Sequence, residues 1–90
     1  MNEAELIELR AKLEKFLTFP TVYMFKFIFE SDNKKVAQIE NIFTDKASIK
    51  LRQSSRDHYI SITVKLEVDN MDEVMEIYRK ASFIKGVMFL

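Results

Sequence analysis

FPTVYMFKFIF, residues Phe19 to Phe29, reads as a β-strand written largely in aromatic residues. Side chains alternate across an extended chain, so Tyr23, Phe25, Phe27 and Phe29 share one face. Val22, Met24, Lys26 and Ile28 share the other, with Lys26 the single charge in the run. A strand apolar on both sides belongs in the middle of a sheet rather than at its edge. Pro20 marks its start, because the residue before a proline is pushed out of the helical region.

Upstream, Leu6, Leu9, Leu13, Phe16 and Leu17 recur at helical spacing, and Asn2 with Glu5 forms a capping-box pair. The helix they define is expected to end at Thr18-Phe19-Pro20, with a Glu8–Lys12 pair on its solvated side. Downstream, Glu30-Ser31-Asp32-Asn33 supplies turn and N-cap chemistry for a second helix with Val36, Ile39, Ile42 and Phe43 inward. A second strand follows at about Ala47 to Gln53, with Ala47, Ile49 and Leu51 inward and the cationic Lys50 and Arg52 outward. Charges of that kind protect an edge strand from mispairing. Ser54-Ser55-Arg56-Asp57 reads as a polar hairpin connection.

Strand three alternates most strongly: Ile60, Ile62, Val64, Leu66 and Val68 against Tyr59, Ser61, Thr63, Lys65 and Glu67. Asn70 and Glu73 then open a third helix with Met71, Val74, Met75, Tyr78 and Ala81 inward. The run from Phe83 to Leu90 reads as a final apolar strand, with Gly86 entering it at positive φ. After the leading helix the order is strand, helix, strand, strand, helix, strand. That order predicts an α+β protein of the ferredoxin-like βαββαβ kind. Right-handed crossovers place two helices on one face of a four-stranded antiparallel sheet, with strands one and three central. Two regions follow: residues 1–18 as an N-terminal helical extension and 19–90 as the domain. The leading stripe is too apolar to face water and is expected on the outer sheet face, the sheet's end or a second subunit. An intersubunit role for Leu6, Leu9 and Leu13 is favoured.

Ninety residues without a cysteine must be stabilised by the core alone, and 48% of the chain is hydrophobic. Each large apolar side chain contributes about 1.5–3 kcal/mol when fully buried. Residues 1–15 carry charges throughout, leaving no apolar signal-peptide core. No apolar run approaches the roughly 18 residues of a membrane span. The expected setting is cytoplasmic. Fourteen basic residues balance fourteen acidic ones, which argues against a nucleic-acid partner. One glycine cannot build a phosphate-cradling loop.

Taken together, Phe19-Pro20, Tyr23, Phe25-Lys26-Phe27, Ser54-Ser55, Tyr59, Ser61, Thr63, Tyr78, Gly86-Val87 and Leu90 resemble the YbeD-like family of small bacterial proteins of unknown function. The resemblance covers about residues 19 to 90. It departs where the family usually has a glycine after the serine pair, a stretch occupied here by Arg56-Asp57-His58. The resemblance implies an ACT-like form of the ferredoxin-like fold. ACT domains are regulatory modules that bind small ligands, commonly at paired-domain interfaces. It therefore implies regulation or binding, with a homodimer as the expected assembly, and carries over no catalytic residue.

The residues themselves point the same way. His58, the sole histidine, has no companion at metal-ligand spacing and reads as a solvated loop residue beside Asp57. Ser54-Ser55 lacks a nucleophile elbow and reads as turn chemistry. No metal, cofactor or catalytic group is expected, and no enzyme activity. Ser31, Asp32 and Asn33 stand where ACT domains present ligand-binding groups, although simple N-capping, which nearly every helix needs, is the favoured reading. Lys26, Lys50, Tyr59, Ser61, Thr63 and Lys65 project together from the sheet face opposite the helices, around Met24 and Ile28. The expectation is a non-catalytic domain binding a protein partner or a small metabolite. The alternative is an RNA-binding module, for which strand three offers Tyr59 alone and no RNP1 pattern.

Overall fold

The computed structural model describes every residue except Ser55 and Asp57. The elements are α1 (Glu3–Glu14), β1 (Thr21–Glu30), α2 (Asn33–Glu40), β2 (Ser48–Gln53), β3 (Tyr59–Val68), α3 (Met71–Ala81) and β4 (Met88–Phe89). The strands form one antiparallel sheet in the order β2-β3-β1-β4. β1 and β3, the two most apolar strands, are central, and the ferredoxin-like arrangement stands.

The core lies between the sheet and its helices. Phe25, Phe27 and Phe29 from β1 and Ile60, Ile62, Val64 and Val68 from β3 are buried against Ile39 of α2 and Met71, Val74, Met75, Ile77, Tyr78 and Ala81 of α3. Edge-on and tilted aromatic contacts knit the layers, Phe25 to Phe43 at 5.6 Å and Phe27 to Phe89 at 5.7 Å between ring centroids.

Local chemistry sets the helix starts. The Asn2–Glu5 capping box is complete, with both reciprocal bonds formed. At α3, Asn70 Oδ1 accepts from Glu73 N–H, but the Glu73 carboxylate accepts from Asp69 N–H instead of the cap residue. That box is displaced by one residue.

The leading helix, the final strand and the edge strand depart from expectation. The leading helix does not extend to Thr18, and its stripe does not lie on the outer sheet face. It ends at Glu14 and packs beside α3, with Leu6 only 3% exposed inside the domain's own core. Leu9, Leu13 and Leu17 lie partly buried against that core, and Phe16, past the last helical turn, stands 81% exposed. Arg79 pairs with Glu3 and Arg10 with Asp72, both across the α1–α3 seam. The Glu8–Lys12 pair is not made; Arg10 binds Glu14 instead.

The final strand is two residues long, not eight. Ser82 caps α3, Phe83 and Ile84 close the turn onto Lys80 and Ala81, and Gly86 redirects the chain at φ 80°. Leu90 N–H adds one further bond to the Lys26 carbonyl. Leu51 points inward by register, opposite Ile62, yet remains exposed. β2 is the sheet edge, so Leu51 has a neighbouring strand on one side only.

Candidate binding face

With α1 beside α3, the outer face of the sheet carries no helix. Register sets its side chains in rows across the strands. Lys50, Thr63 and Lys26 form one row, Arg52, Ser61, Ile28 and Met88 a second, and Ser48, Lys65 and Met24 a third. Leu90 extends the first row through its bond to Lys26. Four cations, Lys26, Lys50, Arg52 and Lys65, thus interleave with apolar groups. Met24 is 54% exposed, Met88 52% and Leu90 68%. A shallow depression of about 500 Å³ lies among Met24, Lys26, Lys50, Thr63 and Lys65.

Structure therefore gathers Lys26, Lys50, Ser61, Thr63 and Lys65 on one surface. Tyr59 lies at its end, across from Glu30. Ser31, Asp32 and Asn33 are elsewhere, past the end of β1. The Asp32 carboxylate accepts from Lys34 N–H at 2.8 Å, so it already fills the start of α2 with its own negative charge. Ser31 N–H donates to the His58 carbonyl and lines a depression with Glu30, His58 and Tyr59. Asn33 is the first helical residue. Leu6, Leu9 and Leu13 are occupied by the seam with α3 and the core.

Ser54 Oγ accepts from the N–H groups of His58 and Tyr59, holding the turn before β3. Ser55 and Asp57, the other half of the serine pair and the neighbour of His58, lie outside the described residues. Among the described residues no cluster of His, Asp and Glu could hold a metal, and no helix is long and apolar enough to cross a membrane.

Met88 and Leu90 were absent from the sequence-derived face, and Arg52 entered only as edge protection. The signal for the first two was the parity of Phe89, which packs inward on Phe27 and Tyr78 and so turns its neighbours outward.

The family described as "Protein of unknown function (DUF493)" matches residues 14–90. The chain belongs to the DUF493 family. YbeD-like proteins are this same family, so the resemblance carried by the strand and hairpin residues holds. No curated protein matches the chain. Among solved structures, the solution structure of protein HP0495 from H. pylori is similar, with a TM-score of 0.63 at 21% identity. The match covers 82% of this chain and 85% of that one, and at this identity the likeness is one of fold. Thus this DUF493 domain has family relatives of unknown function and a shared α+β architecture.

Proposed function

We propose that this DUF493 domain is a non-catalytic binding module whose outer sheet face docks a protein partner bearing acidic and apolar groups. The observation behind this reading is the mixture on one uncovered face, where exposed Met24, Met88 and Leu90 stand among Lys26, Lys50, Arg52 and Lys65. A merely solvated sheet face is polar, whereas apolar groups gathered within a charged surround are typical of interaction surfaces. The depression is shallow and open, while small-molecule sites bury most of their ligand in a cleft. A protein surface fits it better than a metabolite.

Four cations outweigh the two carboxylates at the ends of this face, Glu30 and Glu67, so pairing it with its own copy sets like net charge against like, which opposes a symmetric dimer through it. RNA fits less well: Tyr59 is the sole aromatic outward on the described strands, and RNA-binding sheets of this topology stack two or three bases. The test is affinity capture from the native host with wild type and with Lys26→Glu/Lys50→Glu, followed by hydrogen exchange on the captured complex. Capture lost in the variant, with slowed exchange at Met24, Thr63 and Lys65, supports the reading. Protection elsewhere overturns it, and a high 260/280 ratio in the captured material would replace the protein partner with nucleic acid.

A further inference from the structure

A second surface lies where the β2–β3 pair ends. β2 begins at Ser48 opposite Lys65, but β3 continues to Val68. Over the last three residues β3 has a partner on the β1 side alone. Which way each backbone group points follows from the register. Leu90 N–H bonds the Lys26 carbonyl, so even-numbered residues of β1 direct their hydrogen bonds toward β4. The Val22–Glu67 pair consequently exchanges none. Ser54 N–H bonds the Tyr59 carbonyl, so odd-numbered residues of β3 direct theirs toward β2. Glu67 N–H and C=O therefore point out of the sheet where β2 has already stopped. The chain before β2 has turned away, with Ala47 N–H closing onto the Thr44 carbonyl.

Those two backbone groups open onto a groove of about 470 Å³. Its floor is apolar: Ile42, Phe43, Leu66 and Ile77. Its rim is acidic. Asp45, Asp69 and Glu76 make no ion pair among the described residues, while Glu73 is engaged by Asp69 N–H. Among the described residues Lys46 is the one cation lining it.

We propose that this groove docks an extended basic segment of a partner protein by adding a strand to β3 at Glu67. A strand laid there bonds the free N–H and C=O with one residue, whose side chain stands beside the exposed Glu67 carboxylate, and sets the side chains before and after it inward on the apolar floor at Leu66 and Phe43, inside the field of the acidic rim. Backbone bonding selects an extended segment, and the rim selects lysine or arginine on it. The surface is distinct from the cationic outer face and of opposite sign, so the domain can hold two partners of opposite charge at once.

The probe is acetyl-Lys-Leu-Lys-Phe-Lys-amide, titrated into the full chain labelled with nitrogen-15. Support consists of saturable shifts at Phe43, Leu66 and Glu67, slowed exchange of the Glu67 amide, and binding about tenfold weaker in Asp45→Lys/Glu76→Lys. Lys26→Glu/Lys50→Glu, on the outer face, should bind the probe as wild type does, which separates this site from the one proposed above. Equal binding of acetyl-Glu-Leu-Glu-Phe-Glu-amide overturns the proposal. So do full displacement by spermine without loss of Glu67 protection, shifts confined to other residues, and no binding at millimolar probe. Because Asp45 and Glu76 are exposed, the charge-reversed variant should keep the wild-type spectrum, and the Glu67 amide gives a readout independent of it.

Discussion

Tyr23 and Tyr78 meet oxygen to oxygen at 2.8 Å, joining β1 to α3 with one hydrogen bond between two phenols. Tyr78 is buried, whereas Tyr23 keeps partial access to water. The consequence is an asymmetry. Tyr23→Phe leaves the Tyr78 hydroxyl without a partner in the core and should cost about 1–3 kcal/mol. Tyr78→Phe leaves a hydroxyl that can turn to solvent and should cost about 1 kcal/mol or less. The double variant should be less destabilised than the sum of the two, because it strands no group. Denaturant melts of the four proteins check this cycle, and additive losses would show that the pair is not coupled.

Burial pushes the Tyr78 hydroxyl well above the ordinary phenol range, and the bond to Tyr23 pushes it further in the same direction. The unfolded chain loses this proton near pH 10, while the folded protein holds it. Tyr78 therefore stabilises the fold fully below pH 10, and that contribution falls by up to about 1.4 kcal/mol per pH unit above it. Wild type should lose stability faster than Tyr78→Phe between pH 10 and 11. Parallel curves for the two proteins would rule out the linkage.

Gly86 holds φ at 80°, a region that costs an L-residue about 1–2 kcal/mol. An added Cβ would also meet Lys35 Nζ at 2.8 Å, but that ammonium sits on a flexible stem and can move. Gly86→Ala should lower stability by the backbone cost alone, about 1–2 kcal/mol, with Lys35→Ala giving no relief. Recovery in the double variant would instead place the loss in the side-chain clash.

Much of the fold was legible because two strands announce their faces. The aromatic row of β1 and the Ile/Val row of β3 fix which side is inward, and the one-glycine, one-proline chain leaves few places to turn. What could not be read was the meeting of distant surfaces. The stripe on α1 says that something covers it, but the seam with α3 depends on Glu3 reaching Arg79 and Arg10 reaching Asp72, and no local spacing encodes either pair. β4 is shortened by a backbone turn at Gly86, while its residues remain apolar enough to suggest a longer strand. On the outer face, parity identified Lys26, Lys50 and Thr63 separately; only the register shows that they share a row. The acidic groove was invisible for the same reason, since its walls come from the segment after α2, the end of β3 and α3.

The position of α1 gives the last expectation. Leu6 is part of the single core, so Leu6→Ala removes buried methylenes and should cost about 2–4 kcal/mol. Leu9→Glu with Leu13→Glu introduces two carboxylates into the partly buried seam beside α3 in place of apolar contacts, and should lower the denaturant midpoint strongly. Ile7→Glu with Phe16→Glu serves as the control, because both side chains already face water and should change stability by about 0.5 kcal/mol or less. The contrast separates packing within the chain from packing between chains. If α1 were an association arm, the Leu9/Leu13 variant would stay as stable as wild type and differ in mass by light scattering. Packing on α3 predicts the reverse: an unchanged mass and a large fall in midpoint.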